Sequence, residues 1–146
     1  MDIKYKILTL EETAFSFKPD YDYSGTDPDH VAFQFSHNLI PNPEKEEIAL
    51  TIKAEITPED SDMVLAGETV YCTFHVSPFD KVVKIAGQSF KTSEPTLLET
   101  FISIGIGALR GLLAKNLKGT PLAGFILPLI PMSFIHRNFI SEPKGE

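Results

Sequence analysis

The side chains best suited to metal binding or nucleophilic catalysis do not converge in this sequence. The four histidines, His30, His37, His75 and His136, lie far apart, and no two of them have the spacing of a helical zinc motif. Cys72 falls inside a predicted strand and not at a helix N-terminus, where a thiolate would be stabilised. We therefore expect no metal site, and we expect Cys72 to serve as a small apolar core residue.

Other catalytic patterns are equally weak. Gly105-Ile106-Gly107 is similar to part of a dinucleotide-binding loop, but it falls inside an apolar helical segment and lacks the third glycine. The adjacent acids Glu11-Glu12 and Glu46-Glu47 are typical of solvated polar turns, and no nucleophile elbow or phosphate-binding loop is present. The sequence thus predicts a protein that is not an enzyme and that needs no cofactor.

Length, charge and cysteine content limit the class of protein. The chain has 146 residues, which suits a single domain covering 1–146 with a flexible polar tail at 141–146. Its net charge is −7 and its basic residues are dispersed, so we expect no nucleic-acid partner. One cysteine and the absence of a signal-peptide pattern at the N-terminus predict a cytoplasmic protein.

The first half of the chain alternates between apolar and polar residues, as strands do. The alternation predicts four strands, at 3–17, 31–39, 47–57 and 68–76. The first strand is either one long strand with an irregularity near Glu11-Glu12 or two short strands. Short polar connections between the other three favour antiparallel pairing, because a parallel pair needs a long crossover. The apolar piece Val82-Val83-Lys84-Ile85 fits either a strand or a loop.

The second half begins with a long apolar helix. Ser93 is its predicted N-cap, Pro95 suits the first turn, and the helix should end near Asn116 before Gly119. The helix is apolar nearly all round, which indicates that it is covered on more than one side. Because charged residues and prolines interrupt the apolar residues from 97 to 135, we expect no clean membrane span of roughly 20 residues.

Small residues form a ridge along this helix. Ser103, Gly107 and Gly111 recur at four-residue intervals, and Gly105 thins the adjacent side. Each glycine weakens a helix by about 1 kcal/mol relative to alanine, so close packing must offset the loss. The ridge packs either against the domain's own sheet or, as we expect, against a helix of another subunit. The segment 119–135 that follows has no charge and three prolines, which predicts an apolar loop.

The order of these elements and several short motifs resemble the SecB family of protein-export chaperones. The segment Ile3-Lys4-Tyr5-Lys6-Ile7, followed by 14–19, resembles the first strand of that family. The segments 109–113, 119–121 and 127–134 resemble its main helix and the proline-containing landmarks after it. The resemblance implies an α+β fold with a four-stranded antiparallel sheet and a long apolar helix packed on one face. It also implies assembly through helix packing into a dimer or a dimer of dimers.

The resemblance further implies a function as an ATP-independent chaperone. SecB proteins hold unfolded or pre-export polypeptides, here called clients, in apolar grooves and deliver them to the SecA motor. This sequence departs from the family at two points: the positions that are acidic for SecA binding are Ala14 and Lys18, and only 132–139 remains of the second helix. Two alternatives therefore stay open, a SecB-like chaperone dedicated to a toxin–antitoxin partner and a non-catalytic structural oligomerisation module.

On this interpretation, the client site is built from the apolar loop and its surroundings. A loop this apolar must either pack down or line a groove that partners fill. The predicted client-binding residues are Phe125, Ile126, Leu127, Leu129 and Ile130, with Tyr21, Tyr23 and Phe79 at the rim. Some of these side chains belong to the core, and the sequence does not say which.

Overall fold

A computed structural model describes residues 2–87, 89–131 and 133–135. His136, the end of the predicted last helical segment and the tail 141–146 lie outside the described residues. The elements in chain order are β1 (Lys4–Phe17), β2 (Ala32–Asn42), β3 (Glu47–Thr57), β4 (Ala66–Ser77), the short helix α1 (Phe79–Val82), the hairpin strands β5 (Val83–Ala86) and β6 (Ser89–Thr92), and the long helix α2 (Pro95–Asn116).

The first four strands form one antiparallel sheet with the order β1-β4-β3-β2. Turns join β2 to β3 and β3 to β4, and β1 pairs with β4, so β1 and β2 are the edges. Register places Ile48 opposite Phe74 and Leu50 opposite both Cys72 and Leu39. The α+β class and the four-stranded antiparallel sheet with one long helix on it are therefore confirmed.

The helix α2 covers the two central strands. Every second residue of β3 from Ile48 to Ile56 is fully buried, because the alternation of a strand directs these side chains toward α2. The ring of Phe101 on α2 stacks on Phe74 of β4 with 3.9 Å between centroids. A Cβ atom on Gly105 would lie 2.9 Å from Ile52 Cγ2, so glycine is what allows α2 to approach the sheet so closely.

The edge strand β1 is a single long strand with two irregularities. Its register against β4 shifts between Ile7 and Thr9 and again between Glu12 and Ala14. The second shift lies where the sequence predicted one, and the first was not predicted. Such shifts bend and twist an edge strand and thereby hinder pairing with further chains.

The start of α2 differs from the prediction. Glu94, not Ser93, is the N-cap residue, and its side chain makes no capping hydrogen bond. The Ser93 amide donates instead to the Val82 carbonyl oxygen at 2.9 Å, which holds Ser93 against α1 and delays the helix by one residue. The open choice at 82–85 is also decided, since Val83–Ala86 is the strand β5.

Length and composition alone would allow α2 to cross a membrane. The expectation that no such span exists was therefore wrong for Pro95–Asn116, because this one helix contains few charges. Within the fold, 44% of its most apolar window is buried, as in a helix that lies on a sheet.

Candidate functional site

The side chain of Arg110 on α2 attaches the apolar loop that follows this helix. The Arg110 guanidinium donates from Nε to the Leu127 carbonyl oxygen and from Nη2 to the Pro128 carbonyl oxygen, both at 2.8 Å. A planar guanidinium suits two adjacent carbonyl acceptors, and charge-assisted hydrogen bonds are stronger than neutral ones. Gly124, with a φ of 99°, takes a left-handed conformation that favours glycine just before the loop extends. The backbone of the loop is thus fixed against α2.

This fixed backbone divides the predicted client-binding side chains of the loop. Phe125 and Leu127 are 6% and 1% exposed, whereas Ile126 and Leu129 are 62% and 89% exposed. Ile130 is half-buried against the core. The Phe125 ring lies 6.2 Å from the ring of Phe33 on β2, so it completes the core beside α2. A client could therefore reach Ile126, Leu129 and part of Ile130, but not Phe125 or Leu127.

The predicted rim residues also take different positions. Phe79 is 3% exposed and is a core residue of α1, so it is not accessible at a rim. Tyr21 and Tyr23 are half-buried and meet edge to face, with 5.0 Å between ring centroids. Tyr23 also stacks on Phe17, and its hydroxyl donates to the Lys18 carbonyl oxygen at 2.6 Å. These two tyrosines cover the end of β1.

The predicted ridge on α2 faces away from the sheet. A Cβ atom added at Gly107 or at Gly111 would meet no atom within 4 Å, and Ser103 is half-buried. Packing of these glycines against the domain's own sheet, one of the two alternatives, is therefore wrong. Gly105 is the glycine that packs on the sheet, because its position on the helix points toward Leu50 and Ile52.

A second exposed apolar surface lies on β1, where the sequence predicted a strand but no exposed apolar surface. Tyr5, Ile7, Leu10 and Phe15 are 48%, 44%, 46% and 37% exposed. They lie opposite Val76, Phe74, Cys72 and Glu68 of β4, so they share the face of the sheet that carries α2. We call these four residues the β1 strip. Alternation in the sequence indicated that Tyr5 and Ile7 share a face, but Leu10 joins them only because of the unpredicted register shift after Ile7. Nothing in the alternation shows that α2 leaves these side chains exposed.

Polar groups from three elements meet beside the C-terminal end of α2. Asn116 Nδ2 donates to Glu12 Oε2 at 2.6 Å and to Glu68 Oε1 at 2.9 Å. Glu68 is fully buried, and burial together with the Glu12 hydrogen bond raises its pKa to about 8. The hydrogen bond from Glu68 lowers the pKa of Glu12. Glu12 is exposed, as expected, but it lies within β1 and not in a turn, and it contacts Asn116 at the end of α2.

An open cleft of about 580 Å³ lies between the 21–31 loop and the turn after β3. It is lined by Tyr21, Val31, Pro58 and several acids, and it contains the ion pair of His30 Nδ1 with Asp27 Oδ2 at 2.7 Å. This hydrogen bond raises the pKa of His30. Asp27 Oδ1 also accepts from the Asp29 amide and caps the short 3-10 turn Pro28–His30, so the pair stabilises the loop locally.

The described residues contain no group of three or more His, Cys, Asp or Glu side chains that could hold a metal ion. Cys72 is fully buried on the core face of β4, as predicted, and burial raises the pKa of its thiol. A thiol with a raised pKa is a poor nucleophile at neutral pH. Within the described residues, both the loop and β1 expose apolar side chains.

Comparison with known proteins gives a likeness of structure alone. No family model matches the sequence, and no curated protein matches it. The SecB-like chaperone Rv1957 of Mycobacterium tuberculosis, solved in complex with a ChAD peptide from the Rv1956 HigA1 antitoxin, matches with a TM-score of 0.54 at 9% identity, over 87% of this chain and 88% of that chain. A protein of unknown function from Streptococcus agalactiae matches with a TM-score of 0.44 at 9% identity, over 89% and 99%. The first likeness shows that this chain has a SecB-like fold.

Proposed function

We propose that this protein is an ATP-independent chaperone that binds unfolded or pre-export polypeptides through exposed apolar side chains. The observation that carries the proposal is the loop fixed by Arg110, which presents Ile126 and Leu129 at 62% and 89% exposure. Exposed apolar side chains on a fixed backbone can bind without first paying the entropy of ordering the loop. The SecB-like fold supports the same role, since the structural neighbour is a SecB-like chaperone.

The chemistry of the loop favours broad specificity. Burying one such side chain against a client contributes about 1.5–3 kcal/mol, and several shallow contacts give useful affinity without a required sequence motif. Ile126, Leu129 and Ile130 offer aliphatic surface without directional hydrogen bonds from their side chains. A purely structural module would bury this surface on assembly, whereas a chaperone keeps it available to clients.

A dedicated chaperone for a toxin–antitoxin partner is the second candidate. The position equivalent to a SecA-binding acid at the end of the first strand is Lys18, which forms an ion pair with Asp20 at 3.2 Å, and Ala14 has no charge. The Rv1957 neighbour was solved with a peptide from an antitoxin. These two observations favour a dedicated cellular partner over delivery to SecA.

Assembly into a homo-oligomer is part of the proposal. The β1 strip and the ridge of Ser103, Gly107 and Gly111 are two apolar or flat surfaces on the α2 side of the sheet. α2 reaches the strip through Phe101, whose ring meets Tyr5 edge to face at 5.9 Å. The apolar residues all round α2 predict a helix that is covered on more than one side. A second copy that buries the strip and the ridge would provide this cover.

The proposal is tested by suppression of aggregation. The purified protein should keep a chemically denatured model protein soluble without ATP, and a variant with Ile126→Ser and Leu129→Ser should lose most of this effect. The matched control is Ile85→Ser on the β5–β6 hairpin, where an isoleucine is 47% exposed away from the loop. Folded variants that protect as well as the parent would exclude the loop as the client site.

The same assay separates the two candidates. A general chaperone protects unrelated denatured proteins at similar stoichiometry. A dedicated chaperone leaves them to aggregate while it binds one cellular protein tightly. If the protein protects no denatured protein and no cellular protein depends on the two loop residues for binding, the chaperone function is rejected.

A further inference from the structure

The cluster of Glu12, Glu68 and Asn116 joins three elements that are distant in sequence. Glu12 lies on β1, Glu68 on β4, and Asn116 is the last residue of α2. The Asn116 amide nitrogen donates to one carboxyl oxygen of each glutamate, over separations of 104 and 48 residues. Glu68 is fully buried, whereas Glu12 is exposed on the edge strand. The C-terminal end of α2 is therefore connected to β1 through Glu12 and to β4 through the buried Glu68.

One carboxyl oxygen of the buried Glu68 has no hydrogen-bond partner in the described part of the chain. Within the described residues, Glu68 Oε2 is buried and receives no hydrogen bond. An ionised carboxylate can only accept hydrogen bonds, so an unsatisfied buried oxygen is costly in that form. A protonated carboxyl can donate instead. Protonation would remove the buried charge and turn Glu68 into a donor toward Glu12, the hydrogen-bond partner that raises its pKa.

The charges around the two acids favour the proton on Glu68. On α2, Lys115 acts electrostatically on Glu12 and stabilises its ionised form. Asn116 is neutral and donates to both acids. On β3 the residue opposite Glu68 is Ala54, and on β1 it is Phe15, so neither neighbouring strand places a cation there in the paired register. Two adjacent carboxylates cannot both ionise cheaply when one of them is buried.

We propose that Glu12 and Glu68 share one proton at neutral pH, and that loss of this proton weakens the attachment of the C-terminal end of α2 to β1 and β4. The ionised pair would hold two negative charges around one amide donor, and separation of the elements that carry them would relieve the repulsion. This device does not depend on the proposed chaperone function, because it concerns contacts within one chain.

The direction of the pH effect follows from the raised pKa of Glu68. The folded protein holds this proton up to pH about 8, while an unfolded chain releases it near the ordinary value of 4.5. Its contribution to stability is therefore complete below pH 4.5 and is lost progressively as the pH rises through about 8. The lowered pKa of Glu12 acts in the opposite sense, and only when the pH falls toward and below 4.5.

The test is carbon-13 NMR of the glutamate carboxyl groups in the whole protein, titrated from pH 5 to pH 10. One glutamate signal should titrate near pH 8, and the Asn116 side-chain amide signals should shift with the same midpoint. The Glu68→Gln variant should lack that titration. Between pH 6 and pH 9, the urea midpoint of the parent should fall more than that of Glu68→Gln. The control Glu11→Gln, on the opposite face of β1, should behave like the parent.

Two outcomes would decide against the proposal. If every glutamate signal titrates below pH 6, the two acids share no proton. If both are ionised at pH 6 and added Mg²⁺ or Ca²⁺ shifts their signals, the cluster is a cation site. Should Glu68→Gln fail to fold, the parent's titration still decides, with Glu12→Gln used to assign the signal, since the loss of its neighbour's charge must lower the midpoint of Glu68.

Discussion

The centre of the sheet and its β1 edge carry similar side chains on the same face but have very different surroundings. Leu50 and Ile52 on β3 are fully buried, while Ile7 and Leu10 on β1 are 44% and 46% exposed. One helix is about 10 Å across, and neighbouring strands are about 4.8 Å apart, so a single helix covers about two strands. The β2 edge gains cover from the loop through Phe125 and Phe33, which leaves β1 as the uncovered side.

This difference shows that burial is decided by what covers a strand and not by the alternation of its residues. At the centre of the sheet, α2 buries the alternate apolar side chains, and this burial stabilises the fold. At the edge, the same alternation leaves apolar surface that a second subunit or a client can bury. Substitutions at the covered centre should therefore cost more stability than substitutions at the open edge.

The largest effect should follow from Gly105→Leu. A Cβ atom added at this position would lie 3.0 Å from Leu50 Cδ2 and 2.9 Å from Ile52 Cγ2, so a leucine would force α2 off the central strands. We expect a loss of about 3 kcal/mol in the free energy of unfolding, measured with urea, because overpacking a dense core costs that much. The control is Gly107→Ala, which has open space and should stabilise the helix by about 1 kcal/mol. Equal effects at the two glycines would remove the distinction between the covered and the open side of α2.

The next effect should follow from Arg110→Met, which keeps an apolar stem but removes both hydrogen bonds to the loop. We expect a loss of about 2 kcal/mol, since hydrogen bonds to charged groups contribute about 1.5–3 kcal/mol and one of the two is exposed. Limited proteolysis should then cleave the segment 122–131 sooner. Lys118→Met, beyond the end of α2, is the control. Unchanged cleavage in the Arg110 variant would show that side-chain packing alone holds the loop.

The parts of the fold that could be predicted from sequence are those decided within one segment. The alternation from Ile48 to Ile56 predicts β3 and its buried face, and Pro95 and Gly119 bound α2 to within a few residues. Ser93 shows the limit of such local rules. Serine is a good capping residue and Ser93 lies two residues before Pro95, but its amide pairs with Val82 and Glu94 occupies the N-cap position.

The candidate site was less predictable because cover and pairing are decided between segments. Prolines destroy the periodicity of the loop, so nothing local separates the buried Phe125 from the exposed Ile126 next to it. Glu68 meets Glu12 and Asn116 only because β4 lies between β1 and the end of α2. Adjacent acids such as Glu11-Glu12 look solvated until the strand register sends one of them to the helix side.

A smaller effect is expected from Leu10→Ser on the β1 strip. Leu10 is 46% exposed, so the substitution should change the stability of the single subunit little. If a second copy buries the strip, subunit association should weaken by about 1.5 kcal/mol, which is about tenfold in the dissociation constant measured by analytical ultracentrifugation. Gly107→Leu on the ridge should act in the same direction. Glu11→Ser, on the other face of β1, is the control. If all three variants associate as strongly as the parent does, the strip is not a subunit interface and remains available for client binding.

The smallest effect concerns the polar face of β1, on the side of the sheet opposite α2. On this face, a hydroxyl pair joins β1 to β4. Thr9 Oγ1 lies 2.7 Å from Thr73 Oγ1 across the β1–β4 pair, just after the first register shift, and Thr73 is only 9% exposed. Thr9→Val should lower the free energy of unfolding by about 0.5–1 kcal/mol, because it leaves the Thr73 hydroxyl unpaired in a place that water barely reaches. Thr73→Val should lower it similarly, and the double variant should lose less than the sum, since both partners are then apolar and valine suits a strand. Urea denaturation of the four proteins at one pH gives the coupling energy. An additive result would mean that the two hydroxyls do not interact, and that backbone pairing alone holds the bulged strand.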